Sequence, residues 1–63
     1  MCESTAYLVS SEGTLPIMEN VIYAVPQKDG QVFLEDILGE QKTVHGRLKE
    51  IKLLDHKILI EAV

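Results

Sequence analysis

The apolar residues of this chain come in short runs, and most runs are closed within a few positions by Gly, Pro, Asn or Asp. This pattern is typical of short β-strands joined by tight turns. No apolar run approaches the roughly 18 residues that a membrane-spanning helix requires. We therefore predict one small all-β domain over residues 1–63, with about five or six strands and no membrane association.

The strand predictions follow from alternation between these turn residues. Val21, Tyr23 and Val25 have the period-two spacing that places side chains on one face of a strand. Pro16 has no backbone N–H to donate, so the extended segment 15–18 is expected at a sheet edge or in an arc between strands. We predict strands over 5–10, 21–27, 31–36, 41–45 and 57–63, with turns over 11–14, 37–40 and 55–56 and a break at 19–20.

The clearest local signal is the dipeptide Asp29-Gly30, which stands between two β-rich segments. A type I′ hairpin turn needs positive φ angles at both central residues, and Asp-Gly adopts them readily. The segments 21–27 and 31–36 should therefore pair antiparallel.

The segment 47–54 is ambiguous. Leu48, Ile51 and Leu54 repeat at near-helical spacing, whereas Ile51 and Leu53 repeat at strand spacing. A strand would need a β-bulge near Glu50 to bring Leu48 into phase. We prefer the strand, but the spacing alone leaves both interpretations open.

The length of the chain and its single cysteine indicate how the domain is stabilised and in which cellular compartment it lies. A chain of 63 residues buries only about 60% of its unfolded surface, so small domains usually need further support. One cysteine excludes an intrachain disulfide, which leaves self-association, a bound metal or an unusually good core; of these we favour a homodimer. A lone thiol and no recognisable secretion signal indicate the cytoplasm.

The charge balance disfavours nucleic acid. Ten acidic residues oppose six basic ones, giving a net charge of −4, which repels phosphate backbones. Lys49, Lys52 and Lys57 would form a basic strip, but acidic residues interleave with them, so we expect a mixed, solvated face.

The position of Cys2 suggests metal chemistry. If Met1 is removed, the terminal amine and the Cys2 thiolate form a five-membered chelate; if Met1 stays, its amine and the Cys2 amide nitrogen still close fused rings with the sulfur. One chain supplies too few ligands, but two N-termini meeting across a two-fold axis would suit square-planar Ni(II), and also Cu(II). Glu3 is either an outer ligand or, more simply, a solvated charge, and residues 1–3 form the predicted metal-binding tip.

The sequence gives little support to a zinc site or to an enzyme active site. His45 and His56 are placed in separate turns without zinc-ligand spacing, and each is more simply a solvent-facing side chain. No catalytic motif occurs, and a terminal Cys2 thiol with His45 as base would lack the fixed geometry that catalysis requires. The ordinary alternative for Cys2 itself is a terminal residue without a function.

The segments "MCESTAYL", "MENV" and "HGRLKEIKLLDHKILIE" resemble the CooT family of small nickel-binding proteins. The resemblance implies a small SH3-like or Sm-like β-barrel that pairs as a homodimer, with 48–54 as a strand. It implies nickel binding through Cys2 and a client metalloenzyme such as carbon monoxide dehydrogenase. Some relatives carry an older label of predicted RNA-binding protein.

Three functions follow as hypotheses. The first is a nickel-binding accessory protein of the metallochaperone kind, and the second is an RNA-binding SH3-like or Sm-like small barrel. The third is a structural or regulatory dimer in which Cys2 forms an intersubunit disulfide under oxidation.

Overall fold

The structure, a computed structural model, describes residues 3–63. Strands account for most of this range, and none of the described residues is helical. The strands are β1 Ser4–Ser10, β2 Gly13–Gln27, β3 Gln31–Asp36, β4 Gln41–Lys52 and β5 Lys57–Ala62. Residues 3–63 accordingly include no helix with the length and apolar character needed to cross a membrane.

The five strands close into a barrel in chain order. Sequential neighbours pair antiparallel, and β5 closes the ring by pairing parallel with β1. The predicted all-β barrel is therefore confirmed, with five strands rather than six. The parallel closure pairs the beginning of the described chain with its end, as Thr5 opposes Lys57.

The two long strands close the barrel because each changes partner along its length. The first part of β2 pairs with β1 and the second part with β3, and Val21 is opposite a residue of each neighbour. In the same way β4 pairs with β3 up to His45 and with β5 from Gly46 onward. The predicted break at 19–20 and the predicted strand end at residue 45 are therefore wrong, because β2 and β4 continue through these positions. Asn20, with φ of 55°, makes the bend in β2.

A bulge also changes which face of β2 is buried. The register shifts between Val21 and Tyr23, so the alternation predicted for this strand is interrupted. Val21 is buried at 4% exposure, whereas Tyr23 is 55% exposed and Val25 42% exposed. The prediction that these three side chains share one face is wrong for this reason.

The ambiguous segment is largely strand. β4 runs to Lys52, and its register shifts between Leu48 and Glu50, which confirms the predicted bulge. Leu53 and Leu54, however, belong to the turn before β5, so the strand implied for 48–54 ends earlier than expected.

The predicted hairpin at Asp29-Gly30 is confirmed. Asp29 and Gly30 have φ angles of 65° and 69°, as a primed turn requires. The carbonyl oxygen of Gly30 accepts a hydrogen bond from Gly46 N at 2.8 Å, which fixes the hairpin tip against β4. The turn predicted over 11–14 is shorter, since β2 already begins at Gly13.

The core is aliphatic and fills the barrel interior. On β3, alternate residues point inward, and β5 contributes two inward isoleucines. Burial of such side chains is the main favourable term in folding. The buried apolar residues are Ala6, Met18, Val21, Val32, Leu34, Ile58 and Ile60.

Candidate functional site

The predicted metal-binding tip, residues 1–3, directly precedes β1 in the sequence. Met1 and Cys2 lie outside the described residues, and Glu3 is exposed immediately before β1. Consecutive Cα atoms are 3.8 Å apart, so the Cα of Cys2 lies within about 8 Å of the Cα of Ser4. Covalent geometry alone therefore restricts the Cys2 thiol to this end of β1.

The turn between β4 and β5, residues 53–56, borders the start of β1. Thr5 N donates a hydrogen bond to the carbonyl oxygen of His56 at 2.9 Å. Within the turn, His56 N donates to the carbonyl oxygen of Leu53 at 3.3 Å, and His56 has φ of 56°. This proximity depends on the parallel pairing of β1 with β5, which joins residues far apart in sequence.

The two histidines lie in different parts of the barrel. His56 is exposed in the turn beside β1, as predicted for a turn residue. His45 is exposed but lies within β4, so its prediction as a turn residue is wrong. It precedes Gly46, which pairs with Ala62, about 17 Å along β5 from the Lys57 that pairs with Thr5. The structure therefore does not bring His45 to the start of β1.

The basic residues near this end are distributed among different contacts. Lys52 and Lys57 oppose one another at the end of the β4–β5 ladder. The Lys57 ammonium lies 5.7 Å from the centre of the Tyr7 ring, within the range of a cation–π contact. Further along the ladder, Arg47 pairs with Glu61 at 3.5 Å. The predicted mixed face of Lys49, Lys52 and Lys57 stays a prediction, because this pair involves none of these lysines.

The exposed aromatic surface is small. Tyr23 is 55% exposed, but its cross-strand neighbour on β3 is Glu35. Tyr7 and Phe33 are partly buried. A single-stranded nucleic acid needs stacking surfaces beside a cationic groove. The β2–β3 face does not combine these features, and it gives no support to the RNA-binding hypothesis.

A cleft of about 440 Å³ lies between the first part of β2 and the bend after β3. Asp36, which is 9% exposed, borders it and accepts hydrogen bonds at Oδ1 from Leu38 N and Glu40 N, each at 2.9 Å. Across the cleft, Lys42 Nζ donates to the carbonyl oxygen of Ile17 at 3.1 Å. The two bonds to Asp36 hold the bend after β3, and the Lys42 bond links β4 to the first part of β2, so these contacts have a structural role.

No group of three or more His, Asp or Glu side chains in residues 3–63 is arranged to hold a metal ion. The described part of the barrel therefore offers no competing metal site of that kind. The chemistry proposed from the sequence falls on the N-terminal tip, where Glu3 is the one predicted site residue that the structure describes.

The comparison with known families decides the assignment. Residues 1–61 match the family model of CO dehydrogenase accessory protein CooT. The chain belongs to the CooT family. The CooT match begins at Met1, so it includes the residues of the predicted tip. It confirms the resemblance found in the sequence and indicates an accessory role.

Individual relatives agree with the CooT assignment over nearly the whole chain. An uncharacterized protein from Methanothermobacter thermautotrophicus is 44% identical over 61 residues, which cover 97% of this chain and 89% of that protein. The crystal structure of a candidate CooT from Carboxydothermus hydrogenoformans superposes with a TM-score of 0.85 and 32% identity, covering 98% of both chains. The barrel described above is therefore also found in a solved relative.

Proposed function

We propose that this CooT protein is a cytoplasmic nickel-binding accessory protein. It acts as a homodimer that binds one Ni(II) between two N-termini, through both Cys2 thiolates and nearby terminal or backbone nitrogens. The observation that carries the proposal is the position of the chain's single cysteine, two residues before the start of β1, in a chain that matches the family of CO dehydrogenase accessory protein CooT. Met1 and Glu3 flank the site as a nitrogen donor and an outer carboxylate.

The donor set suits the proposed cargo. Each N-terminus supplies a thiolate sulfur and at least one nitrogen that close a chelate ring, so two copies supply four donors or more. Nitrogen and sulfur donors in a flat array favour square-planar Ni(II). A two-fold axis makes the two half-sites equivalent, which accounts for one ion per two chains.

The structure supports delivery rather than storage. Cys2 is bonded to Glu3, which is exposed immediately before β1. The barrel interior is filled by aliphatic side chains, which leave no polar chamber for an ion. An ion held at the tip can be transferred to a client metalloenzyme such as carbon monoxide dehydrogenase. In this role the protein presents the metal and catalyses no reaction.

Titration with Ni(II) tests the site. We expect thiolate-to-nickel charge-transfer absorption. It should saturate at about half an equivalent of Ni(II) per chain, because two chains share one ion. Cys2→Ser should abolish the absorption, since serine does not provide a soft thiolate. His45→Ala is the matched control and should leave the titration unchanged, because His45 lies away from the start of β1. Absorption that persists in Cys2→Ser would reject the Cys2 site.

Nickel binding should weaken as the pH falls. A free thiol titrates near pH 8.5 and an α-amino group near pH 8, and both must lose a proton before they coordinate. Each proton released on binding lowers the apparent affinity by about tenfold per pH unit below these values. Dissociation constants measured at pH 8, 7 and 6 should therefore rise steeply. A constant affinity over this range would contradict coordination by groups that must deprotonate.

A further inference from the structure

The first part of β2, up to residue 20, has a partner strand on only one of its two edges. Its ladder runs with β1, and pairing with β3 begins only at Val21. Between residues 3 and 63, no ladder joins this part of β2 to β4. A strand edge without a partner presents backbone N–H and C=O groups that can pair with another chain. We call residues 13–19 the open edge of β2.

A cleft lies along the open edge. Its lining includes five consecutive residues of β2, 16–20, and is completed by Asp36, Glu40 and Lys42. Its volume of about 440 Å³ is within the range of ligand-binding pockets. A cleft bordered by continuous strand backbone fits an extended polypeptide, which can add to the edge by main-chain hydrogen bonds.

Lys42 already supplies one hydrogen-bond donor to the open edge. It lies opposite Leu34 in the β3–β4 ladder, so its side chain leaves β4 on the same face as that buried leucine. Its Nζ atom crosses the cleft and donates to the carbonyl oxygen of Ile17 at 3.1 Å. The ammonium thereby takes the place of a donor that an added strand would provide. Just beyond the open edge, Ile37 N donates to the Asn20 carbonyl oxygen at 2.9 Å.

The lining of the cleft is acidic. Glu19, Asp36 and Glu40 carry three carboxylates against the one ammonium of Lys42, which is a formal excess of two negative charges. In residues 3–63 Lys42 forms no ion pair with these carboxylates. The excess negative charge attracts a basic segment and repels a second copy of the same edge.

We propose that the open edge of β2 binds an extended segment of a partner protein that carries a lysine or arginine side chain. The segment adds to β2 as a strand, and its basic side chain enters the cleft that Glu19 and Glu40 line. Lys42 holds this position in the absence of the partner, because it supplies the same kind of donor to Ile17. Pro16 offers no N–H, so the added strand pairs with the remaining positions. Nickel takes no part in this contact.

Titration of the nitrogen-15-labelled protein with short peptides tests the open edge. The probe is a capped Thr-Val-Arg-Val-Thr peptide, and a comparison peptide has Glu in place of Arg. We expect amide chemical shift changes confined to residues 13–20 and 36–42. The Glu peptide should bind at least about tenfold more weakly, because like charges opposed at an interface strongly disfavour binding. A third peptide, N-methylated at alternate backbone nitrogens, should also lose binding, since it lacks the main-chain donors that strand addition uses.

Variants of the cleft locate the contact. Glu40→Gln should weaken binding of the Arg peptide about two- to fivefold, whereas Glu12→Gln, in the β1–β2 turn, should not change it. Lys42→Met should strengthen binding about two- to fivefold, because it removes the internal competitor and a like charge. Lys28→Met makes the same change of net charge in the β2–β3 turn and should have no effect.

Equal affinity for the Arg and Glu peptides, or binding that is insensitive to Glu40→Gln and Lys42→Met, would overturn the proposal. Shift changes at the open edge that grow with protein concentration alone would show that a second copy occupies it. Equal shift changes with methylguanidinium would show a small-cation site only. Either of these two results would also overturn the partner segment. The titration contains no Ni(II), so its failure would leave the proposed nickel site standing.

Discussion

Replacing Gly46 with alanine should destabilise the barrel more than adding one methyl group usually does. A Cβ atom at this position would lie 2.7 Å from the Glu61 carbonyl oxygen and 2.8 Å from the Ile60 Cγ2 atom. The carbonyl oxygen belongs to a paired strand and cannot move without disturbing the β4–β5 ladder. We expect a loss near the upper end for overpacking, about 3 kcal/mol in the free energy of unfolding.

That loss is large beside the total stability of so small a domain, which rarely exceeds about 3–5 kcal/mol. Urea unfolding at fixed protein concentration measures it. Gly39→Ala is the control: no atom lies within 4 Å of its added Cβ, and only its φ of 88° makes alanine unfavourable. We expect a loss of about 1 kcal/mol there. If Gly46→Ala lost less free energy of unfolding than Gly39→Ala, β4 and β5 would not approach each other as closely at Gly46 as described here.

Replacing Leu34 with alanine should have an effect of similar or greater size. Leu34 is 0% exposed, lies on the central part of β3 and is among the largest fully buried side chains. Truncation removes its transfer free energy and leaves a cavity that a closed barrel collapses only in part, so we expect a loss of about 2–5 kcal/mol. In a domain of this size the variant should be largely unfolded well below the melting temperature of the parent protein.

The control makes the same substitution at an exposed site. Leu38 is 89% exposed in the bend after β3, so Leu38→Ala should change the free energy of unfolding by no more than about 0.5 kcal/mol. Thermal unfolding followed by circular dichroism at one concentration compares the pair. Equal stability of the two variants would contradict the core described here.

Much of the barrel is predictable because its signals are local. The turn at Asp29-Gly30, the bulge near Glu50 and the strand ending at Asp36 each follow from residue types within a few positions. The alternation of apolar and polar residues then fixes the face of a regular strand such as β3.

The errors in the fold arise where the barrel requires long, bent strands. Asn20 and Gly46 resemble strand ends in the sequence, yet both lie inside strands that change partner. The bulge between Val21 and Tyr23 reverses the exposed face, and no local pattern specifies it. Closure of the ring imposes these features, and closure is a property of the whole chain.

The candidate site likewise has one part that the sequence predicts and one part that it does not. Cys2 stands out from the sequence alone, because a single thiol at the second position is a property of residue type and position. A turn at 55–56 was predictable, but its position beside Thr5 was not, since only the parallel pairing of β1 with β5 brings the two together. A contact between residues so far apart in sequence has no local signal.

Native mass spectrometry of the protein with and without Ni(II) tests the central claim most directly, because it counts chains and metal ions together. We predict a species of two 7.1 kDa chains with one Ni(II), and the loss of the metal from that species in Cys2→Ser. A single chain that carries its own Ni(II), or a dimer that keeps the ion after Cys2→Ser, would contradict the shared N-terminal site.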